Sequence, residues 1–91
     1  MQHVYFLKSK KNKKIYTGST EKSPAIRLKE YNEGSNKWTR ENGPFDLVYY
    51  EKYTCEEDAQ AREAFYKTGF GRIIRNAILE TIEKINKSRD L

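Results

Sequence analysis

The first apolar block, His3-Val4-Tyr5-Phe6-Leu7, is β-branched and aromatic, the composition of a strand. A polar, lysine-rich turn follows over residues 8–14, with Asn12 the residue best suited to positive φ. Residues 15–19, IYTGS, read as the returning strand, so the two blocks form a β-hairpin. Side chains alternate along a strand, and an even number of loop residues puts Tyr5 and Tyr16 on the same face. Residues 23–34 then carry helix punctuation: Ser23 suits the N-cap, Pro24 the first helical position and Gly34 the stop. Within that short helix Ala25 and Leu28 share one side, while Arg27 and Tyr31, four apart, share another. Residues 35–43, SNKWTRENG, read as a basic loop holding the only tryptophan. A third strand is expected over residues 44–53, with Pro44 tolerable at its start. Thr54 and Glu57 have capping-box spacing and open a second helix that ends near Gly69. Its apolar stripe is Cys55, Ala59 and Tyr66, with Glu63 at the stripe's edge. A third helix over residues 71–88 repeats Ile74, Ala77, Ile78, Thr81, Ile82 and Ile85 at helical spacing, which marks that stripe as core. The order ββαβαα predicts an α/β chain of the α+β type: a three-stranded, mostly antiparallel sheet flanked by three helices.

Composition narrows the chemistry. Ninety-one residues are expected to make one domain, residues 1–91. Hydrophobic content is only 36%, so much of the burial falls to seven Tyr, four Phe and one Trp. Lysine and arginine exceed aspartate and glutamate by 18 to 13, a net charge of +5, which fits an anionic partner, nucleic acid first. Cys55 is the one cysteine, which rules out a disulfide within the chain and a cysteine-based zinc site. No apolar run approaches the roughly 20 residues of a membrane span, and the lysine-rich N-terminus lacks a signal peptide's apolar stretch. The expectation is a cytoplasmic protein with no membrane partner.

Several reaction types drop out. A Ser-His-Asp triad or a Cys-His pair would have to use His3, the one histidine, at the start of the first strand. No His, Cys, Asp and Glu cluster has zinc spacing, and neither GxGxxG nor GxxxxGK[ST] occurs after a strand. Tyrosine, arginine, glutamate and lysine remain, a plausible set for phosphodiester chemistry. An arginine fork matches the oxygens of a phosphoryl group in transition. One carboxylate suffices for Mg²⁺, which keeps most of its waters. A tyrosine whose pKa is lowered by nearby cations could take a proton from water.

Four stretches in order, VYFLKSKKNKKIYTGST, RLKEYNEG, KWTRENGPFDLVYYEKY and EDAQAREAFYKTG, resemble the GIY-YIG nuclease superfamily, most of all its small members. The resemblance spans residues 3 to about 72. The family's first motif falls on His3-Val4-Tyr5 and its second on Tyr16-Thr17-Gly18. Both tyrosines are kept and the first glycine is not. The resemblance implies a three-stranded antiparallel sheet and metal-dependent hydrolysis of a DNA backbone, with Mg²⁺ or Mn²⁺ as cofactor. It implies that Tyr16 or Tyr5 activates water or relays its proton, that Arg27 grips the scissile phosphate and that Glu63 holds the metal. Gly18 would let main chain pass close to the site. Many relatives carry a histidine where this chain has Tyr31. A phenol with an ordinary pKa of roughly 10 is a poor base at neutral pH, so the departure implies catalysis that rests more on Tyr16, or is slow or lost.

The implied activity is a DNA endonuclease of repair or of structured-DNA processing. The alternative is a GIY-YIG-like module that binds DNA and cuts it weakly or not at all. DNA contacts are expected from the turn lysines Lys8, Lys10, Lys11, Lys13 and Lys14, and from Lys37, Trp38 and Arg40. Trp38 could stack on a base or pack onto the sheet, with packing favoured.

Overall fold

The structure is a computed structural model that describes residues 1–89. Its strands are β1 (Gln2–Ser9), β2 (Ile15–Thr20) and β3 (Phe45–Tyr53), and its helices are α1 (Pro24–Asn32), α2 (Lys37–Asn42), α3 (Glu56–Tyr66) and α4 (Gly69–Arg89). The sheet has the order β2-β1-β3 and is antiparallel throughout. The expected sheet and element order hold, with one helix more than the pattern predicted.

β1 lies at the centre, with helices over both faces, and this accounts for its unbroken apolar run. Val4, Tyr5, Phe6 and Leu7 are all buried, as in any strand covered on both sides. Val4 and Phe6 point to one face, where they pack with Ala59 and Tyr66 of α3 and with Ile74, Ile78 and Leu79 of α4. Tyr5 and Leu7 point to the other, where they pack with Phe45, Leu47 and Tyr16 and with Leu28 and Tyr31 of α1. Burying a side chain the size of Phe6 is worth roughly 1.5–3 kcal/mol. His3 is buried as well, edge-on to Tyr50, and is paired with Thr20 and Lys52 rather than frayed.

The hairpin register places Leu7 opposite Tyr16 and Tyr5 opposite Gly18, so both tyrosines share a face as expected. In the turn the residue at positive φ is Lys13 (φ 64°), not Asn12. Asn12 uses its side chain instead: Oδ1 accepts from Lys14 N–H at 2.9 Å, and Nδ2 donates to Asn42 Oδ1 at 3.1 Å. Buried Ser9 completes the tie, its hydroxyl donating to the Asn42 carbonyl and accepting from the N–H groups of Lys11 and Asn12.

Residues 37–42 are helical where a loop was expected. Asn36 Oδ1 accepts from Thr39 N–H at 2.9 Å, and Thr39 Oγ1 accepts from Asn36 N–H at 3.3 Å, a reciprocal capping box. The box expected at Thr54 and Glu57 does not form. Cys55 is the N-cap of α3 and makes no side-chain cap bond, and the acidic first turn Glu56, Glu57 and Asp58 complements the helix dipole instead.

α4 begins two residues earlier than the pattern suggested, at Gly69. It passes so close to the end of α3 that a Cβ on Gly71 would sit 1.7 Å from the Phe65 carbonyl oxygen. Ile74, Ile78 and Ile82 face the sheet, with Leu79 beside them, whereas Ala77, Thr81 and Ile85 face solvent. A helix on one layer of a small sheet buries a narrow stripe, so half of the expected core line stays outside.

Candidate active site

α1 is fixed at both ends. The Ser23 hydroxyl accepts from Ile26 N–H at 3.2 Å. At the far end Asn32 brackets Phe45, accepting from its N–H at 2.8 Å and donating to its carbonyl at 3.1 Å. This sets Arg27 and Tyr31 over the sheet face that carries Tyr5. The Arg27 guanidinium lies 5.1 Å from the centre of the Tyr31 ring, and one of its nitrogens donates to Glu30 Oε1 at 3.1 Å. The Tyr5 and Tyr31 rings meet edge to face at 6.4 Å.

Tyr5 and Arg27 are neighbours, and each changes the other's titration. Burial, then the neighbouring Tyr31 phenol, push the Tyr5 phenol up to about 12 against the opposing pull of Arg27. The lowering expected from nearby cations is therefore outweighed at Tyr5, which stays a protonated phenol at neutral pH. The Arg27 guanidinium, raised chiefly by Tyr5, stays charged. Opposite Tyr5 the need for glycine is steric: a Cβ on Gly18 would lie 2.4 Å from the Tyr5 hydroxyl oxygen. The group that approaches the bare main chain is thus the first tyrosine of the motif.

Tyr16 stands two residues along the same edge strand and on the same face. Its ring meets Trp38 edge to face at 4.9 Å and Phe45 at 5.7 Å. Its hydroxyl donates to Asn42 Oδ1 at 3.2 Å and accepts from Asn12 Nδ2 at 3.4 Å. Trp38 packs, stacking on Phe45 at 16° and 5.8 Å, yet keeps 43% of its surface exposed. Arg27, Glu30, Tyr31, Asn36 and Trp38 line a pocket of about 210 Å³. Tyr31 and Trp38 also line an adjoining groove of about 400 Å³ that runs past Tyr16 and Thr17 to Lys67, Arg72 and Arg75.

Glu63 belongs to the other side of the sheet. It lies on α3, where Ser19 Oγ donates to Oε1 at 2.5 Å and Lys67 Nζ donates to Oε2 at 2.6 Å. Burial opposes its charge, but Lys67 and Ser19 outweigh it and hold the carboxyl below the usual range. Glu63 touches none of Tyr5, Tyr16, Arg27 or Tyr31 through a hydrogen bond. The two halves meet at the edge strand: Tyr5 packs on Gly18 and Glu63 bonds Ser19, consecutive residues whose Cα atoms are about 3.8 Å apart. Among the described residues no group of three or more His, Cys, Asp or Glu could hold a metal together.

The basic residues divide. Lys8 pairs with Glu83 (3.8 Å), Lys10 with Asp46 (3.4 Å) and Lys37 with Glu41 (3.7 Å). Lys11 donates to the Glu41 carbonyl and Arg40 to the Gly34 carbonyl. Lys13 and Lys14 are exposed. Sequence reasoning did not pick out Asn42, Ser19, Arg72 or Arg75, and it read Glu30 only as a surface partner for Arg27. For Glu30 the i, i+3 spacing from Arg27 was a usable signal, and for the others the juxtaposition appears only in three dimensions.

A tyrosine and arginine cluster thus sits on one face of the β2-β1-β3 sheet, with a glutamate around its β2 edge. The family model for the GIY-YIG catalytic domain matches residues 1–76, and the chain belongs to the GIY-YIG family, a nuclease family whose members act on DNA. The chain is 39% identical over 83 residues to the UPF0213 protein CPE1444 of Clostridium perfringens (strain 13 / Type A), covering 90% of this chain and 83% of that one. No solved structure matches it. No helix among the described residues is long and apolar enough to cross a membrane.

Proposed function

We propose that the protein is a metal-dependent DNA endonuclease that hydrolyses phosphodiester bonds, acting in DNA repair or in the processing of structured DNA. The observation that carries this reading is the junction at Gly18 and Ser19, where the Tyr5, Arg27 and Tyr31 cluster and the Glu63 carboxylate are anchored to neighbouring residues of one edge strand.

Arg27 is the group to grip the scissile phosphate. It is permanently charged, oriented by Tyr5 and Glu30, and one wall of an open pocket. Tyr5, protonated and buried, positions Arg27 rather than taking a proton. That leaves Tyr16, whose hydroxyl is oriented by Asn12 and Asn42, to hydrogen-bond the attacking water and relay its proton to solvent, passing on its own hydroxyl proton as it takes the water's. Tyr31 supplies a phenol for a hydrogen bond to phosphate. Glu63 is charged and half-buried, and it would hold Mg²⁺ or Mn²⁺ by exchanging the Lys67 ammonium on Oε2 for the ion, since such an ion needs only one or two carboxylates beside its waters and a substrate phosphate. When bound, the ion supplies Lewis-acid stabilisation of the leaving oxygen.

Incubation with supercoiled plasmid and Mg²⁺ or Mn²⁺ tests the reading. Nicking is expected, and it is expected to disappear in Glu63→Ala. Absence of cleavage of every DNA form at every metal concentration would overturn it. A second reading, a module that grips DNA without cutting, is favoured by Tyr31 and by the raised Tyr5 phenol. It predicts salt-sensitive DNA binding with no strand scission.

A further inference from the structure

The groove beside Tyr16 carries charge that the proposed cleavage does not use. Arg72 and Arg75 of α4 line it together with Lys67, facing Tyr16, Thr17 and Trp38. They are three apart on one helix and therefore share a face. Lys67 is already paired with Glu63. Among the described residues neither Arg72 nor Arg75 has a carboxylate within salt-bridge reach, whereas Arg27 pairs with Glu30 and Arg62 with Glu51. Arg75 bonds only the neutral side chain of Asn76, at 3.1 and 3.2 Å. Among the described residues no carboxylate lines the groove. Burial, then the neighbouring Arg72 charge, pull the Arg75 pKa down, as expected where cations converge without a counterion.

A planar guanidinium fork matches two phosphate oxygens, and a paired set without an acid is relieved by an anionic ligand. Trp38 and Tyr31 line both this groove and the Arg27 pocket, so the two spaces are neighbours. We propose that Arg72 and Arg75 form a second phosphate site, which holds the DNA backbone at a phosphate other than the one under Arg27. The site reads charge and spacing and carries no base recognition. It rests on the endonuclease reading for the identity of its ligand.

The test is binding of a short fluorescent DNA duplex across a salt series, with Trp38 fluorescence as a second readout. Arg72→Gln/Arg75→Gln is expected to weaken binding about tenfold or more at low salt. It is also expected to flatten the slope of log affinity against log salt by about one to two. Arg72→Gln alone, at an exposed position, is expected to show part of both effects and guards against misfolding of the double variant. Lys84→Gln/Lys87→Gln, an equal charge change farther along α4, is expected to leave the slope within about half of one phosphate contact. Unchanged affinity and slope in the double variant, while the wild type binds DNA, would overturn the second site and leave the endonuclease reading intact. A wild type that binds no DNA would overturn both. Inorganic phosphate that quenches Trp38 as DNA does, and does so only with both arginines present, would assign the pair to free phosphate and overturn the backbone assignment.

Discussion

Glu51 and Arg27 sit at the centres of two tyrosine-rich clusters on opposite faces of one sheet, each containing a glutamate, an arginine and tyrosines. Around Glu51 every position is filled. Oε2 accepts from Tyr49 at 2.7 Å and from Tyr66, and Oε1 accepts from Tyr53 at 2.6 Å and from Arg62 Nε at 3.4 Å. A carboxylate offers about four lone-pair sites, so no acceptor capacity is left for a ligand. The Arg62 guanidinium is covered in turn by the Tyr66 and Phe65 rings, at 4.5 and 4.9 Å. Around Arg27 the partners are fewer and the pocket is open. A guanidinium has five donors, and Tyr5 and Glu30 leave part of that fork facing the cavity. The same residue types thus build a closed strut that locks α3 to β3 on one face and an open site on the other. What separates them is saturation, not composition.

The largest test of this contrast is Glu51→Ala. It strands Arg62 and three phenols and is expected to cost about 3 kcal/mol, read as a lower urea midpoint with unchanged m-value. Gly18→Ala comes next. The added methyl collides with the Tyr5 hydroxyl, and the strain is expected to cost about 1–3 kcal/mol and to disturb Arg27 through Tyr5. A smaller, graded effect follows from pH. The Glu51 carboxyl is held below its usual range, because its tyrosine bonds and Arg62 outweigh the opposing burial. Its contribution is therefore complete above the ordinary carboxylate pKa of about 4.3 and is lost as pH falls through the depressed folded value. Glu51→Gln is expected to remove that acid-side slope. Tyr5, Tyr53 and Tyr66 are raised, mainly by burial, to about 12. Their contribution is present below about 10 and is lost as pH rises toward 12, so unfolding and phenol ionisation at 295 nm are expected to coincide in that window. The smallest effect is expected from Asn36→Ala, which removes the α2 cap at about 1 kcal/mol and loosens Trp38. Its readout is a change in tryptophan emission with little change in melting.

Much of the frame was legible in the chain. The apolar run of β1, the Ser23-Pro24 start of α1 and the Gly34 stop are local signals with local causes, and each gave its element. The shared face of Tyr5 and Tyr16 followed from period two once the loop length is even, and the hairpin register meets that condition. What failed were features decided by tertiary partners. Asn12 lost the positive φ to Lys13 because its side chain is tied to Asn42, 30 residues away in sequence. α2 was hidden because its capping pair, Asn36 and Thr39, lies in a stretch whose polarity reads as loop. The Ala77, Thr81 and Ile85 line has the right period but faces outward, since only packing decides which edge of a wide stripe is covered. At the site, the family pattern named Tyr5, Tyr16, Arg27, Tyr31 and Glu63. It did not say that Glu63 comes around the sheet edge through Ser19, or that burial would raise Tyr5 rather than let cations lower it.

The most direct measurement sets the two clusters side by side: plasmid nicking and thermal melting of Arg27→Ala and Glu51→Gln under the same metal and buffer. The account predicts that Arg27→Ala melts near the wild type and loses about a hundredfold or more in nicking rate. Glu51→Gln is expected to melt lower and, at a temperature where it is folded, to nick at nearly the wild-type rate. The reverse pattern, with Arg27→Ala still cutting and folded Glu51→Gln inactive, would contradict it.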